Sequence, residues 1–329
     1  NKLAPGDNVD VVGVLRLRPP IKMRQKQELI YGRFVEANSV RSLKKDFEEI
    51  EITKEEERRL KELAKNPEIG DVILRSIAPS IYGHSEVKKA LALQLFGGTR
   101  GKTMKGGMSI RDDIHILLIG DPGIAKSRFL QSVSDIAPKS IYVSGKSVSG
   151  AGLTVSAEKD ELGEGGWTLK AGALVLASGG TAQIDEFDKI EEEDRAALHE
   201  AMETQTISVA KAGIVAKFRT KTAILAAANP KYGRFDQTKN LADQFDVPPT
   251  LLSRFDLIFP IVDVLDEEKD TKLAEHILST HMGTEVVESD VFEKDFLRKY
   301  IAYARRNVFP KLTKEASQKI KEFYVDLRR

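Results

Sequence analysis

An apolar run that leads into a glycine-containing turn and a Lys-Ser pair constrains the fold of this chain more than any other stretch. Residues 114–119 read Ile-His-Ile-Leu-Leu-Ile, which predicts a short buried strand. Residues 120–127 read Gly-Asp-Pro-Gly-Ile-Ala-Lys-Ser, and residues 128–136 have the pattern of a helix. This order is typical of a phosphate-binding loop, in which backbone N–H groups and the helix N-terminus face an anion. It predicts a nucleoside triphosphate site; a tight strand-to-helix turn without a ligand is the alternative.

The chemistry of this loop suggests roles for its residues. Lys126 is expected to reach the β- and γ-phosphates of ATP, and Ser127 is expected to ligate Mg²⁺. Ala125 stands where a second glycine is usual. Because Ala disfavours positive φ, we expect the loop to use a conformation that Ala can adopt there. The residues expected to bind ATP in this loop are Gly120, Asp121, Pro122, Gly123, Ile124, Ala125, Lys126 and Ser127.

Composition excludes several classes of protein. The chain has no cysteine, so it holds neither a disulfide framework nor a cysteine-based zinc site. Its 329 residues, 41% of them apolar, suffice for one large domain or two ordinary ones. The net charge is +1, so nucleic-acid binding would have to come from local basic clusters. No apolar run approaches the roughly 20 residues that span a bilayer. The first residues lack a signal-peptide pattern, and we expect a fragment of a longer protein.

A second short strand ends in a pair of carboxylates. Residues 179–189 read Gly-Gly-Thr-Ala-Gln-Ile-Asp-Glu-Phe-Asp-Lys. In the manner of a Walker B element, Asp185 is expected to hold Mg²⁺ through water, and Glu186 to polarise the attacking water. An acidic helix N-terminus is the alternative, and it suits the carboxylates of residues 191–194 better. Gln183 is unusual in a strand that is buried on both faces.

Two further predicted strands have polar residues beside them. Residues 222–228 are apolar and lead to Asn229, whose amide can orient water against a γ-phosphate. Arg254 precedes a fifth strand at 257–262. It either forms a salt bridge with Asp256 or acts as an arginine finger that is given to a neighbouring subunit. Strands and helices that alternate at these lengths indicate a parallel α/β sheet.

Two candidate hairpins carry basic residues. Residues 206–219 alternate in polarity around a turn, which predicts a hairpin with Lys211 at its tip. A lone lysine at a tip is usually just solvated. The candidate strands 9–17 and 29–35 flank another basic connection, which is either a solvated tip or a phosphate-contacting hairpin. Its basic residues include Lys22, Arg24 and Lys26.

The remaining sequence is mostly helical. Residues 53–56 read Thr-Lys-Glu-Glu, which fits a capping box at the start of a helix that runs to residue 65. A second helix is predicted over 85–95. After the fifth strand, the pattern predicts helices over 266–280, 293–306 and 313–328, which suit a small helical lid.

Together these pieces resemble the AAA+ ATPases and, more narrowly, the minichromosome maintenance (MCM) family of replicative helicases. The loop at 120–127 is similar to that family's Walker A variant, in which Ala before the Lys is ordinary. Ile-Asp-Glu-Phe-Asp-Lys at 184–189 and Ser-Arg-Phe-Asp at 253–256 look like two further signatures. Ser-Ile-Ala-Pro-Ser-Ile-Tyr-Gly-His at 76–84 and Ala-Ala-Ala-Asn-Pro-Lys at 226–231 also match. The resemblance covers nearly the whole chain and looks more archaeal than eukaryotic.

On the nucleotide side, the resemblance implies that Ser80, Ile81 and Tyr82 lie near the adenine. It implies that Asn229 is the sensor 1 residue. It also implies that Arg254 acts in trans on the ATP of a neighbouring subunit, so that Glu186, Lys126, Asn229 and Arg254 would be the catalytic residues.

On the DNA side, the resemblance implies that the hairpin around Lys211 is the presensor-1 hairpin, which projects into the channel of a ring. Residues 153–167 would be the helix-2 insert. Lys22, Arg24 and Lys26 would belong to a DNA-binding hairpin of the N-terminal domain.

The resemblance also implies a division of the chain. Residues 1–45 would be the last strands of an OB-type DNA-binding domain, and 46–75 a helical linker. Residues 76–264 would form the α/β AAA+ core, and 265–329 an incomplete helical lid. The family's zinc-binding part would precede residue 1, and its sensor-2 arginine would lie beyond Arg329. Thr204 stands where a Gln is common.

The function expected from this resemblance is that of an ATP- and Mg²⁺-dependent replicative helicase motor. ATP would be hydrolysed between the subunits of a homo-oligomeric, hexameric ring that unwinds DNA. The expected partners are single-stranded and forked DNA and other replication proteins, without a membrane, in the cytoplasm and nucleoid or in a eukaryotic nucleus. The alternatives are a related AAA+ remodeller that acts on protein, and a nucleotide-gated DNA-binding ring that does not unwind.

Overall fold

The computed structural model describes residues 9–18, 22–23, 26–27, 31–42, 50–99, 110–146, 150–159, 167–211, 213–236, 238–262, 271, 274, 278 and 291–328. Its strands are β1 (Val9–Arg18), β2 (Lys22–Met23), β3 (Lys26–Gln27), β4 (Gly32–Ser42), β5 (Ile116–Gly120), β6 (Ser140–Ser144), β7 (Val155–Lys159), β8 (Trp167–Ala171), β9 (Thr181–Asp185), β10 (Thr206–Lys211), β11 (Ile214–Arg219), β12 (Ala223–Ala228) and β13 (Leu257–Ile261). Its α-helices are α1 (Lys54–Leu63), α2 (Ile69–Ser76), α3 (Ser85–Phe96), α4 (Lys126–Ile136), α5 (Gly150–Leu153), α6 (Ala173–Leu176), α7 (Glu192–Thr204), α8 (Pro249–Leu252), α9 (Lys294–Asn307) and α10 (Lys314–Asp326).

A five-stranded parallel sheet in the order β13-β5-β12-β9-β6 forms the centre of the fold. Every residue of β5 and of β12 is buried, as expected for parallel strands that are covered on both faces. Because the strands are parallel, their carboxyl ends meet at one edge, where β12 lies between β5 and β9. The predicted five-stranded parallel α/β sheet is therefore confirmed.

The alternation of side chains along the strands builds one core on each face of the sheet. On one face, Ile116 and Leu118 pack in a cluster with residues of α3, α4 and α9. On the other face, Leu117 and Ile119 pack in a cluster with residues of α6, α7 and α8. The two cores fix these helices against the sheet, and with them the loops at its carboxyl edge.

Antiparallel hairpins account for the remaining strands. The pairs are β1 with β4, β2 with β3, β7 with β8, and β10 with β11. The β1–β4 register shifts between Val12 and Gly13. The β10–β11 hairpin pairs Lys211 with Ile214, so Lys211 lies at the turn as predicted.

Local signals located most of the helices. The capping box at Thr53 is present, with the Thr53 side chain and the Glu56 side chain bonding reciprocally to the backbone. The helices predicted over 293–306 and 313–328 correspond to α9 and α10. The helix predicted over 266–280 lies outside the described residues except for three helical positions. The strand predicted over 29–35 is placed later, at β4. Among the described residues, no helix combines the length and the apolar character needed to cross a membrane.

Candidate nucleotide-binding site

The phosphate-binding loop predicted at 120–127 joins β5 to α4 at the carboxyl edge of the sheet. A Cβ atom on Gly120 would lie 2.3 Å from Ile124 Cδ1 and 2.5 Å from the Ile261 carbonyl oxygen, so only glycine fits this close approach to β13. Gly123 has φ +89°, in the region that glycine enters without strain. The backbone therefore explains both glycines of the loop.

Ala125 occupies the left-handed region, with φ 60° and ψ 16°, immediately before α4. The expectation that the loop would adopt a conformation that suits Ala is wrong. A left-handed L-residue costs about 1–2 kcal/mol, and such strain is concentrated at functional sites. The Ala125 carbonyl accepts from the N–H groups of Arg128 and Phe129, so this conformation leads directly into the helix.

Lys126 lies under the loop and is 8% exposed. Its Nζ atom donates to the carbonyl oxygens of Gly120, at 2.6 Å, and Asp121, at 2.7 Å. Burial lowers the pKa of Lys126, and the carboxylates of Asp185, Asp121 and Asp188 oppose that shift. The ammonium group therefore lies in the field of carboxylates from both the loop and the region after β9.

Asp185 and Glu186 stand at the end of β9, next to the end of β6. Tyr142 donates from its hydroxyl to Asp185 Oδ2 at 2.7 Å, and Ser144 donates to Glu186 Oε2 at 2.6 Å. Burial, followed by the hydrogen bond to Asp185, raises the pKa of Tyr142. Tyr142 and Ser144 are two residues apart, so they project from the same face of β6. Neither residue is predicted from the sequence, because their role depends on β6 pairing with β9.

The backbone around Glu186 is constrained. Glu186 has φ 50° and ψ 44°, and its N–H donates to Asp185 Oδ1 at 2.9 Å. A Cβ atom on Gly145 would lie 2.4 Å from the Glu186 carbonyl oxygen, and the Gly145 N–H donates to the Asp185 carbonyl at 2.7 Å. The chain after β6 thus packs directly on the carboxylate pair and limits its movement.

Asn229 follows β12 and so lies between the loop after β5 and the carboxylates after β9. Its N–H donates to Asp188 Oδ1 at 3.0 Å. Asp188 is 5% exposed and forms a 3.0 Å ion pair with Lys189. The sequence analysis gave no role to Asp188, which ties the predicted sensor to the segment after the carboxylate pair.

Asp121 connects the phosphate-binding loop to a second loop, formed by residues 230–245. Its Oδ1 atom accepts from the Phe235 N–H at 2.9 Å. Loop 230–245 is closed by a β-bridge between Pro230 and Phe245. Gln244, 1% exposed, lies inside it and exchanges hydrogen bonds with the backbone N–H and carbonyl of Asp236. The loop after the predicted sensor is therefore a braced unit that holds the phosphate-binding loop.

The segment predicted to lie near the adenine packs against α4. The Ala78 N–H donates to Ser132 Oγ at 3.0 Å, and the His84 ring meets the Phe129 ring edge to face at 5.9 Å. Within this segment, Ile81 is buried and its carbonyl accepts from Lys88 Nζ at 2.7 Å. Ser80 and Tyr82 are exposed. The segment therefore adjoins the helix that the phosphate-binding loop begins.

Arg254 does not form the salt bridge with Asp256 that was one alternative. Asp256 instead accepts from Arg111 Nη2 at 2.6 Å and from the His115 N–H at 2.8 Å. Arg254 contacts α7, where Nη2 lies 3.2 Å from Glu203 Oε2 and Nε donates to His199 Nε2 at 3.1 Å. The two neighbours in the sequence therefore point to different elements.

The described residues that were predicted to bind DNA lie on hairpins outside the five-stranded sheet. Lys211 is exposed at the end of β10, and its Nζ donates to the Val155 carbonyl on β7 at 3.2 Å. The β7–β8 hairpin and the predicted β10–β11 hairpin are therefore neighbours. Lys22 lies on β2 and Lys26 on β3, which pair with one another, and Arg24 lies outside the described residues.

The donor atoms present are compatible with Mg²⁺. Ser127 offers a hydroxyl on the first turn of α4, and Asp185 offers a carboxylate at the end of β9. Hard oxygen donors of this kind, few in number, suit an ion that keeps several waters and binds substrate phosphates. Ser127 and Asp185 are thus the residues that would hold it.

Comparison with known families identifies two matches. A family model described as the MCM P-loop domain matches residues 56–281, and one described as the MCM AAA-lid domain matches residues 295–329. The first match contains the entire edge of the sheet described above.

Several curated proteins are similar along nearly the whole chain. The minichromosome maintenance protein MCM of Saccharolobus solfataricus is 48% identical over 325 residues, which are 99% of this chain and 46% of that protein. The DNA replication licensing factor MCM7 of Arabidopsis thaliana is 42% identical over 330 residues, 99% of this chain and 46% of its own length. The DNA replication licensing factor mcm5-A of Xenopus laevis is 41% identical over 339 residues, with shares of 100% and 46%. The chain thus spans just under half the length of these relatives.

Proposed function

The chain belongs to the minichromosome maintenance (MCM) family, and we propose that it is the ATP-driven motor of a replicative DNA helicase. The observation that carries the proposal is the arrangement at the carboxyl edge of the sheet. There, β12 and Asn229 lie between the phosphate-binding loop after β5 and the Asp185–Glu186 pair after β9. This order brings the loop, the carboxylate pair and Asn229 together, which supports a site with a phosphate cradle, a metal-binding carboxylate and a base.

The proposed chemistry is the attack of water on the γ-phosphate of ATP, which breaks the bond between the γ-phosphorus and the bridging oxygen and releases ADP and phosphate. The backbone N–H groups of the loop, which Pro122 lacks, and the Lys126 ammonium hold the phosphates. The ammonium leaves its carbonyl partners to do so. Glu186 accepts the proton of the attacking water, and Asn229 orients that water. Mg²⁺, when held by Ser127 and Asp185, offsets the negative charge of the phosphates. Ser80, Ile81 and Tyr82 bind the adenine end.

The second half of the proposed site comes from a neighbouring subunit. Arg254 is exposed to about one third of its side-chain surface, so its guanidinium is accessible at the molecular surface. An arginine given in trans stabilises charge that develops on the γ-phosphate. If each site receives Arg254 from another copy of the chain, the copies must form a homo-oligomeric ring. We propose that this ring is a hexamer.

The proposed DNA contacts lie on the hairpins. Lys211, on the exposed turn of β10–β11, tracks the phosphate backbone of single-stranded DNA in the ring channel. Lys22, Arg24 and Lys26 contact DNA from the N-terminal side. In this proposal residues 1–45 end an OB-type domain, 46–75 form a linker, 76–264 form the AAA+ core, and 265–329 form part of a lid. The other proposed partners are replication proteins in the cytoplasm and nucleoid, or in a nucleus.

Unwinding of a forked duplex tests the proposal most directly. The chain is incubated with a fluorescently labelled fork, ATP and Mg²⁺, with Lys126→Ala as the inactive control. Strand separation that requires ATP and Lys126, together with ATP turnover that rises with single-stranded DNA and with protein concentration, is the expected result.

Two outcomes would favour the alternatives. ATP turnover that does not change with DNA but rises with an unfolded protein would favour an AAA+ remodeller that acts on protein. DNA binding that depends on ATP but never separates strands, in this chain and in one extended at both ends, would favour a nucleotide-gated ring.

A further inference from the structure

The contacts of Arg254 assign a function to the side chains that surround it on α7. We propose that His199 is a positioning residue that, with Glu203, orients the Arg254 guanidinium for its action on a neighbour's nucleotide. The inference rests on the proposed function, because it concerns how the trans arginine is presented.

The three side chains form a closed set of contacts. Arg254 Nε donates to His199 Nε2 at 3.1 Å, and Arg254 Nη2 lies 3.2 Å from Glu203 Oε2. The same carboxylate oxygen lies 3.6 Å from His199 Nδ1. In this contact Nε2 of His199 is the acceptor, and Nδ1 is the ring nitrogen that faces Glu203. Glu203 therefore favours the tautomer that can accept from Arg254.

This contact acts on the part of the arginine that sets its direction. The Nε–H lies at the junction of the flexible stem and the planar guanidinium, so a bond there fixes the plane of the group. The guanidinium has five N–H donors, and the two contacts engage one at Nε and one at Nη2. The remaining N–H groups of the guanidinium are left in position to donate to the oxygen atoms of a phosphate.

The elements that carry His199, Glu203 and Arg254 are held by buried side chains. His199 and Glu203 are four residues apart on α7, and they directly follow Leu198 and Met202, which are at most 1% exposed. On the other side of the arginine, Phe255 is buried and meets Phe187 edge to face at 5.4 Å. Both ends of Arg254, its backbone and its head group, are thus held by packed elements, as a preorganised site requires.

The half-exposed Glu203 contact suits a group that must later exchange partners. The Arg254 and Glu203 side chains are 33% and 47% exposed, and ion pairs of such exposure are weak. A phosphate that arrives from a neighbouring subunit can replace the carboxylate, while His199 keeps its bond to the Arg254 Nε–H. The arrangement therefore holds the arginine before assembly without preventing its later use.

The experiment is a double-mutant cycle between positions 199 and 254. The variants are His199→Ala, His199→Gln, Arg254→Ala and the double variant His199→Ala/Arg254→Ala. Gln can place an acceptor oxygen near the position of Nε2. Glu192→Ala, an exposed position on the first turn of the same helix, is the matched control. The measurements are kcat and KM for ATP at a saturating concentration of single-stranded DNA, and the Kd of each variant for a fluorescent ATP analogue.

The expected result separates positioning from nucleotide binding. His199→Ala lowers kcat about tenfold, because a misplacement on the order of 1 Å is costly in a catalytic site. KM and the nucleotide Kd stay within about twofold of the wild-type values. His199→Gln recovers most of the lost rate, and Glu192→Ala behaves like the wild type. In the Arg254→Ala background, His199→Ala has no further effect, because its role passes through Arg254.

Two results would overturn the inference while the proposed function stands. One is a normal kcat in His199→Ala when Arg254→Ala has lost turnover. The other is an equal loss from His199→Ala in both backgrounds, which would mean a general effect on folding. A normal kcat in Arg254→Ala would instead remove the trans arginine itself, and with it that part of the proposed function.

Discussion

Ser144 donates a 2.6 Å hydrogen bond to Glu186 across the neighbouring strand ends of β6 and β9. The main chain of Glu186 has a left-handed conformation, and its N–H donates to the Asp185 carboxylate. The side chain of the proposed base is therefore restrained at both its ends. Such restraint matters because proton transfer requires the base within hydrogen-bond reach of the attacking water.

Replacement of Ser144 tests this restraint. Ser144→Ala is expected to lower kcat for ATP by about tenfold, since an unrestrained carboxylate spends less time in the productive geometry. Ser144→Thr, which keeps the hydroxyl, is expected to retain most of the rate. Steady-state turnover and nucleotide affinity would be measured together. A rate loss in Ser144→Ala that came entirely from weaker nucleotide binding would argue against the orienting role.

Loss of the Lys126 ammonium is expected to abolish ATP turnover. Lys126→Ala should lower kcat/KM by at least about 100-fold, because it removes the cation of the phosphate cradle. Lys126→Arg should also lose most activity, because a guanidinium cannot replace a compact ammonium that two carbonyls hold. Circular dichroism would establish that the variants are folded. Hydrolysis at the normal rate in Lys126→Ala would refute the assignment of the site.

Substitution of Lys211 separates turnover from unwinding. Lys211→Ala is expected to leave ATP turnover nearly unchanged and to reduce strand separation, because its hairpin is not part of the five-stranded sheet that carries the loop. Lys217→Ala is the matched control, since Lys217 is an exposed lysine on the partner strand β11. Unwinding that falls equally in both variants would indicate a general effect of charge.

We expect the free energy of unfolding to fall as the pH falls, because of the buried His115. This side chain is 2% exposed and accepts from the Ile224 N–H at Nδ1, and burial, helped by the Arg111 charge, lowers its pKa to about 3. The folded pKa is depressed below the unfolded value, so this contribution to stability is complete above about pH 6.5 and is lost as the pH falls towards 3. Between pH 7.5 and 5.5 the loss is about 1.4 kcal/mol.

The matched variant is His115→Asn, whose oxygen can accept in place of Nδ1 but does not titrate. Urea unfolding at both pH values would give the two free energies of unfolding. The wild type should lose about 1.4 kcal/mol more than the variant between pH 7.5 and 5.5. An identical decrease in both proteins would contradict the assignment of this pH dependence to His115.

The sequence predicted the features that depend on neighbouring residues. The buried strands, the loop at 120–127, the capping box at Thr53 and the turn at Lys211 all carry short-range signals. Gln183 is instructive, because a polar residue in a buried strand looked doubtful, yet it is fully buried. Its Nε2 donates to Thr181 Oγ1 on the same strand at 2.8 Å, so the burial is partly compensated locally.

The sequence did not predict the features that depend on the order of strands. Tyr142 and Ser144 belong to the site because β6 lies next to β9, and nothing in their own stretch indicates it. The link of Asn229 to Asp188 spans 41 positions. For Arg254, the nearest carboxylate in the sequence was the wrong partner, because Asp256 points back to His115 at the start of β5. At Ala125, propensity argued against the left-handed conformation that the tertiary structure imposes.

The hydrogen bond from Phe235 to Asp121 has a consequence for the order of events in a turnover cycle. Loop 230–245 is also internally braced by Gln244. The phosphate-binding loop is therefore joined by hydrogen bonds to the chain that begins at Asn229. On the proposed function, we expect the release of a cleaved phosphate and the return of Asn229 to its starting position to be coupled.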